Sequence, residues 1–380
     1  MSSLRMTAGW WASAKVTLAA FAIALLIGAV LIAFSDEDVV ETLPNLFTYP
    51  GDFFVAAADA IGSSYWAMLK GSLGSWHAIA STLERSAPLI CAGLGVTFAF
   101  RAGLFNIGAQ GQMTIAALIG GYVAFAWQLP AGLHLLCALV ACLIGGALWG
   151  GVAGVLKAQA GAHEVITTIM LNYVAASVLL YALSKDAFQR PGSDNALSPQ
   201  PLDTARFPSI GGVHLGVLLA LLAAVLVWWV LDRSTLGFEL RAVGANPNAA
   251  RTAGMSTTVV YTVAMVIAGA LAGLAAAMNV LGEGNALSPT LVGSIGFDAI
   301  TVALLGRASP VGTVLAGLLF GAMSVGGVAM QASVGTPKEL TAVIQALIVL
   351  FVAAPTFVKA LMRFKDQGGG TTLLAKGWGA

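Results

Sequence analysis

The sequence predicts an all-α polytopic membrane protein of about ten transmembrane helices, some of them broken, arranged as two pseudo-symmetric halves. Of its 380 residues 58% are hydrophobic and only 9% are charged, whereas soluble domains carry roughly 25% charged residues. No soluble core could use that much apolar surface. Apolar runs approaching the ~20 residues that a spanning helix needs recur along nearly the whole chain. Basic residues also gather in alternate loops, as the positive-inside rule requires.

The elements follow in order. Residues 1–35 comprise a short cytoplasmic segment with Arg5 and Lys15 and a first span at 15–34. That run is too long for a signal-peptide core and no A-x-A cleavage site follows it, so it reads as a retained helix. Residues 36–85 form an outer segment that opens on Asp36, Glu37, Asp38 and Glu41. Its middle carries Phe53, Phe54, Tyr65, Trp66 and Trp76, the aromatic anchors of an interfacial helix in contact with membrane lipid. The main transmembrane domain, 86–358, holds spans at 86–101, 112–128, 132–156, 164–183, 213–231, 257–281, 291–306, 310–331 and 339–358. Between them lie an outer loop at 185–210, rich in Pro, Ser and Asp, and a cytoplasmic loop at 232–256. Residues 359–380 form a cytoplasmic tail. With both termini inside, the inner face collects 12 Lys and Arg against 6 outside.

Several function classes drop out. A net charge of +1 with no long Lys/Arg run excludes a nucleic-acid surface. Cys91, Cys137 and Cys142 sit in apolar segments without metal-ligand spacing and read as small buried residues. His163-Glu164 is not a metalloprotease pair, because Thr167 stands where the second His would be needed. His77, His134 and His214 fall near predicted membrane boundaries and read as interfacial, so no metal site is expected. The chain lacks G-x-x-x-x-G-K-[ST], so nucleotide phosphates must be handled elsewhere. Gly146, Gly150 and Gly154, Gly269 with Gly273, and Gly317 with Gly321 recur at four-residue spacing, which predicts closely packed helices.

Two polar, Gly-interrupted stretches, 101–112 and 282–298, lie in corresponding halves. Paired interruptions point to a translocation site, because broken helices leave backbone groups free where they face a cavity. Asn106, Gln110, Gln112, Asn172, Tyr173, Asn279 and Asp298 are polar groups at or near membrane depth, where they need partners. They could hydrogen-bond a base or sugar, with Tyr173 stacking on it, or simply bond neighbouring helices. An ion-coupled carrier would need mid-membrane carboxylates, and only Glu164, Glu283 and Asp298 are candidates, all near predicted boundaries. In the cytoplasmic loop, Asn246 before Pro247 suits a helix N-cap, with a short helix from 247 to 253 ending at Gly254. Such a helix can dock into another protein's groove or serve as a solvated connector.

The loop from Gly237 to Gly254, G-x-x-x-R-A-V-G-x-N-x-x-A-A-R-x-x-G, resembles the permease family of ABC importers of branched-chain amino acids, ribose-type sugars and nucleosides. The resemblance implies a coupling helix that transmits motion from ATPase subunits, with Arg241, Asn246, Ala249, Ala250 and Gly254 on the matching positions and Arg251 beside them. Phe105-Asn106-Ile107-Gly108-Ala109-Gln110-Gly111-Gln112 resembles the nucleoside-type permeases, which usually carry Glu where Gln110 stands here. The likeness extends over about residues 80–358, through Glu164 to Tyr173 and Gly296 to Gly306. It implies a non-catalytic subunit of the bacterial plasma membrane that conducts nucleosides, with simple sugars or branched-chain amino acids as the alternatives. The implied partners are ABC ATPase subunits, a second homologous permease in a heterodimer and an extracytoplasmic solute-binding protein. This chain would bind no cofactor, ATP and Mg being used by the ATPase.

Overall fold

The computed structural model describes residues 2–193 and 195–361, so most of the expected tail, from residue 362 on, lies outside the described residues. Helices α1 (Ser2–Ser35), α2 (Glu37–Thr42) and α3 (Pro50–Leu73) precede α4 (Trp76–Arg101), α5 (Ala109–Ala126), α6 (Leu133–Ala160) and α7 (Glu164–Leu183). A hairpin of β1 (Ser209–Ile210) and β2 (Val213–His214) leads into α8 (Gly216–Arg233), α9 (Thr235–Ala245), α10 (Pro247–Thr252) and α11 (Thr257–Ala277). After a π-helical turn, Met278–Gly282, come α12 (Ile295–Leu305), α13 (Pro310–Val334), α14 (Glu339–Ala353) and α15 (Pro355–Leu361).

The described residues contain seven helices long and apolar enough to cross a membrane: α1, from Lys15 on, α4, α6, α7, α8, α11 with its π-turn, and α13. The all-α membrane architecture is therefore present, while the expected count of ten spans is not reached. Three expected spans are the difference. In α5, Gln110 and Gln112 in the first turns dilute an 18-residue helix, and α12 and α14 have only 11 and 15 residues. The span expected from residue 86 instead begins at Trp76, where Ser75 caps the helix by accepting from the Ala78 amide (3.1 Å). Thr82, Glu84 and Arg85 had hidden that first stretch from an apolar pattern. Residues 213–214, expected in a helix, form the second strand of the hairpin.

Packing repeats between the two halves. Helix α4 lies against α13 as α11 lies against α6; α4 meets α12 as α11 meets α5; and α5 packs on α6 and α7 as α12 packs on α13 and α14. The glycine rows make these contacts. A Cβ on Gly146 or Gly269 would collide with the other residue's carbonyl oxygen, and Gly150 and Gly154 continue the seam along Met265 and Thr262. Gly317 and Gly321 seat α13 on Ile90 and Ser86 of α4. Backbones that approach this closely supply the van der Waals contact that replaces a hydrophobic drive in lipid.

The segment 36–85 is largely helical. Helix α3 docks one face on α1 and α13, with the Tyr65 hydroxyl donating to Leu25 O (2.6 Å) and Ser64 Oγ sharing a hydrogen with Thr336 Oγ1 (2.8 Å). Phe54 and Trp66 remain exposed on its other face.

Candidate functional site

The first break, residues 102–108, separates α4 from α5. Asn106 and Gln112 are each 1% exposed and pair amide to amide: Asn106 Nδ2 donates to Gln112 Oε1 (3.2 Å) and Gln112 Nε2 donates to Asn106 Oδ1 (3.3 Å). Asn106 Oδ1 also accepts from the Gly108 amide (2.9 Å). From α7, Asn172 Oδ1 accepts from the Gly111 amide (2.8 Å) and Nδ2 donates to Ile107 O (3.0 Å). The break is thus an ordered turn whose free backbone groups are answered by side-chain amides. Asn106→Ala should leave the Gln112 amide buried and unpaired, costing about 1–3 kcal/mol, while Asn106→Leu with Gln112→Leu should cost less, since only the Gly108 amide then loses its partner. Thermal unfolding of the purified chain in detergent checks this; equal losses in the single and double variants would refute the pairing.

Gln110 reaches across to the second break. Its Nε2 donates to Gly293 O (2.7 Å) and its Oε1 accepts from the Gly296 amide (3.0 Å). The N-terminal ends of the two short helices, α5 and α12, therefore meet. Asp298, in the first turn of α12, accepts from Ser294 Oγ (2.7 Å). Asn279 lies in the π-turn, 3% exposed, and its Oδ1 has no protein partner. Tyr173 is separate from this group: it is 69% exposed on the outward face of α7, although its neighbour Asn172 points inward.

The loop 185–210 packs over the second break as an ordered cover. Ser198 and Leu287 exchange two bonds, Ser198 N to Leu287 O (3.0 Å) and Leu287 N to Ser198 Oγ (2.9 Å). The Phe207 amide donates to Leu281 O (2.8 Å) and the Leu202 amide to Ala124 O (2.9 Å). His134 and His214, expected at membrane boundaries, are both buried. His134 bridges Thr204 Oγ1 (2.8 Å) and Val123 O (3.0 Å). His214, in β2, stacks on Phe207, and its amide donates to Glu84 Oε1 (3.0 Å). Burial holds its imidazole below the ordinary histidine range, against the opposing pull of Glu84 and Glu283. Beside this cover a cleft of about 480 Å³ is lined by Arg85, Arg190, Gln200, Glu283, Asn285 and Ser288, with Gly293 and Ile295 also on its wall. The sequence marked the stretch 282–298 that supplies Glu283, Asn285, Ser288, Gly293 and Ile295, but not Arg85, Arg190 and Gln200, which join it only through the loop's packing.

At the opposite end of the bundle lies the loop between α8 and α11. Asn246 caps α10, its Oδ1 accepting from the Asn248 and Ala249 amides (both 3.0 Å). Gly254 has φ +85°, and the Met255 amide donates to Ala250 O (3.0 Å), the hydrogen-bond pattern of a left-handed C-terminal stop. Ala250 is buried, while Ala249 and Arg251 are exposed, Arg251 Nη2 donating to Thr257 Oγ1 (3.3 Å). Helix α9 was not anticipated. It is capped by Ser234, which accepts from the Gly237 amide (3.0 Å), and buries Leu240 and Val243. Its Gly244 lies directly on the first break, so that a Cβ there would collide with Arg101 O, and Gly103 faces Gly244 Cα. Arg241 has a buried Nη1 without a partner. Groups of three or more His, Cys, Asp or Glu able to hold a metal are absent among the described residues.

The chain is similar to several known proteins. The chain is 40% identical over 317 residues to the guanosine ABC transporter permease protein NupP of Bacillus subtilis, covering 81% of this chain and 90% of that protein. It is 36% identical over 309 residues to the glucose ABC transporter permease protein TsgB13 of Haloferax volcanii, covering 78% and 81%. A second Bacillus subtilis protein, the guanosine ABC transporter permease protein NupQ, is 26% identical over 259 residues, 64% of this chain and 79% of that protein. No solved structure matches. The family model for the branched-chain amino acid transport system / permease component matches residues 78–353, from the first turn of α4 to the last residue of α14, and the chain belongs to that family of ABC transporter permeases.

Proposed function

We propose that the chain is the nucleoside-conducting permease subunit of an ATP-binding cassette importer, in which the capped α9–α10 loop receives the stroke of separate ATPase subunits. The observation that carries this reading is the backbone contact of Gly244 on Arg101 and Gly103. It joins the loop to the first break with no compressible side chain between them, so a displacement of α9 reaches the broken segment directly. Arg241, Asn246, Ala249, Ala250, Arg251 and Gly254 shape the docking helix. Asn106, Gln112 and Asn172 hold the break, and the polar cleft by Arg85 and Arg190 is the outer mouth of the pathway. The repeated helix pairing supports two pseudo-symmetric halves related across that pathway.

Nucleosides are favoured because NupP and NupQ are guanosine permeases by name; simple sugars are the second reading, since TsgB13 is named for glucose. The unequal similarity to two permeases of one organism supports a heterodimer with a second permease. A solute-binding protein would deliver solute from outside, and the ATPase subunits would use ATP and Mg, this chain binding no cofactor and catalysing nothing. The charge bias supports a cytoplasmic loop 232–256, cytoplasmic termini and outer segments at 36–85 and 185–210.

The test is uptake by right-side-out vesicles carrying the chain with its ATPase, second permease and receptor. Labelled guanosine should accumulate only with ATP inside, and a tenfold excess of glucose should not compete. Asn248→Cys should react with an impermeant thiol reagent in inverted vesicles alone. Full competition by glucose would move the substrate to sugars; reaction of Asn248→Cys from outside would reverse the orientation.

A further inference from the structure

We propose that Gln110 is a positioning residue for transport, a two-sided amide latch that holds the N-terminal end of α12 against α5 and so makes α12 the moving gate. The proposal rests on the permease reading above and adds the element that moves.

Helix α5 is the fixed side. Its first turn is tied to α7 by the Gly111 amide on Asn172 Oδ1, and the break before it by Asn172 Nδ2 on Ile107 O. Helix α12 is short, follows an irregular segment from Glu283 to Ser294 and is fixed firmly at its far end. There Arg101 Nε donates to Ala308 O (2.8 Å) and the Ala308 amide donates to Ala303 O (2.9 Å). Arg307 and Ala308 both adopt left-handed φ, 52° and 46°, a conformation that non-glycine residues hold only when their surroundings impose it. The near end turns instead at Gly293, whose φ of +52° a glycine adopts without strain. It is held to α5 by the Gln110 amide, through Gly293 O and the Gly296 amide, with Gly296 seated on the Gln110 backbone. Gly293 and Ile295 also line the outer cleft. Releasing the amide would therefore swing the N-terminal end of α12 and change the cleft wall, with the Arg101 end as the pivot. Arg101 borders the Gly103–Gly244 contact, so the pivot and the cytoplasmic loop share one stretch of backbone.

An amide suits this role because it offers a donor group on one side and an acceptor on the other in a fixed plane. A carboxylate can only accept, and would set its charge against Gly293 O. A protonated carboxyl group can again do both. Gln110→Glu should therefore turn the latch into one that holds in acid and loosens as pH rises above the carboxyl pKa.

The experiment uses the full transporter complex with Cys137→Ala and Ile295→Cys, position 295 being buried in the latched state, and follows reaction with a small methanethiosulfonate in the absence of solute and ATP. With Gln110 present the reaction should be slow. Gln110→Leu, which keeps the bulk and loses both bonds, should speed it roughly tenfold, as the loss of two net hydrogen bonds implies. Gln110→Glu should be fast at pH 8 and slow toward the rate of the Gln110 chain, compared at each pH, as the pH falls through the carboxyl pKa. An unfolded variant would be fast at both. Unchanged labelling in Gln110→Leu, or labelling in Gln110→Glu that does not depend on pH, would overturn the latch. The assay needs no solute, so an error in the nucleoside assignment leaves its outcome untouched.

Discussion

Gly269→Val is expected to cost the chain more stability than any other single change considered above. Gly269 and Gly146 face each other at the crossing of α11 and α6, each Cα against the other's carbonyl. Neither side can yield by rotating a side chain, because the obstructing atoms are backbone. Over-packing typically costs about 1–3 kcal/mol where side chains can adjust, and at this seam the helices themselves must separate. Separation would break the contacts of Gly150 and Gly154 along the same seam and displace α5, which packs on both helices. The control is Gly151→Ala, whose Cβ would meet only Val266 Cγ2, at 3.2 Å, and which could gain up to ~1 kcal/mol of helix propensity. Thermal unfolding in detergent and the amount of folded protein recovered from membranes should rank Gly151→Ala at or above the unmodified chain. Gly146→Ala should fall below it, and Gly269→Val lowest. Equal recovery of Gly269→Val and the unmodified chain would mean that α6 and α11 do not cross at these glycines.

The second large effect is expected on coupling. Gly254→Val should reduce transport and solute-stimulated ATP hydrolysis together, with the chain still inserted and folded. Open space surrounds Gly254, so the cost is purely conformational: its φ of +85° penalises a residue with a Cβ by ~1–2 kcal/mol, and a β-branched residue more. The helix stop would shift and α10 would lose the shape that docks. About 1.4 kcal/mol in the docked equilibrium is a tenfold loss of productive complexes, which sets the size expected. Ala250→Asp should do the same by another route, because position 250 is buried against the loop and a carboxylate there would lack a partner. Ala249→Ser, on the exposed side, should change folding little. Hydrolysis by the reconstituted complex with and without receptor and solute is the measurement. Full stimulation in both Gly254→Val and Ala250→Asp would reduce the loop to a connector.

The membrane class, the glycine seams and the α10 cap were all legible in the sequence. Each is a local matter: hydropathy over one helix, glycine every fourth residue on one face, an Asn-Pro start and a Gly stop. The broken segments were also visible as polar interruptions. Their partners were not. Gln110 could be marked as a polar residue at depth, but its bonds to Gly293 and Gly296 span more than 180 residues, and no pattern along the chain encodes a contact between two half-helices. Tyr173 shows the same limit from the other side. One residue from Asn172, it turns about 100° around the helix and faces away from the polar group that its neighbour joins.

The sequence by itself therefore determined that this chain crosses the membrane repeatedly, where its helices can touch closely, where two of them break and which loop carries a capped helix, because these follow from composition and from spacings within one element or loop. Only the tertiary structure decided that α9 rests on the first break, that residues 198–207 cover the second, and that Gln110 joins the breaks. Those outcomes depend on which backbone groups remain unsatisfied once all the helices are packed, a quantity that exists only in three dimensions.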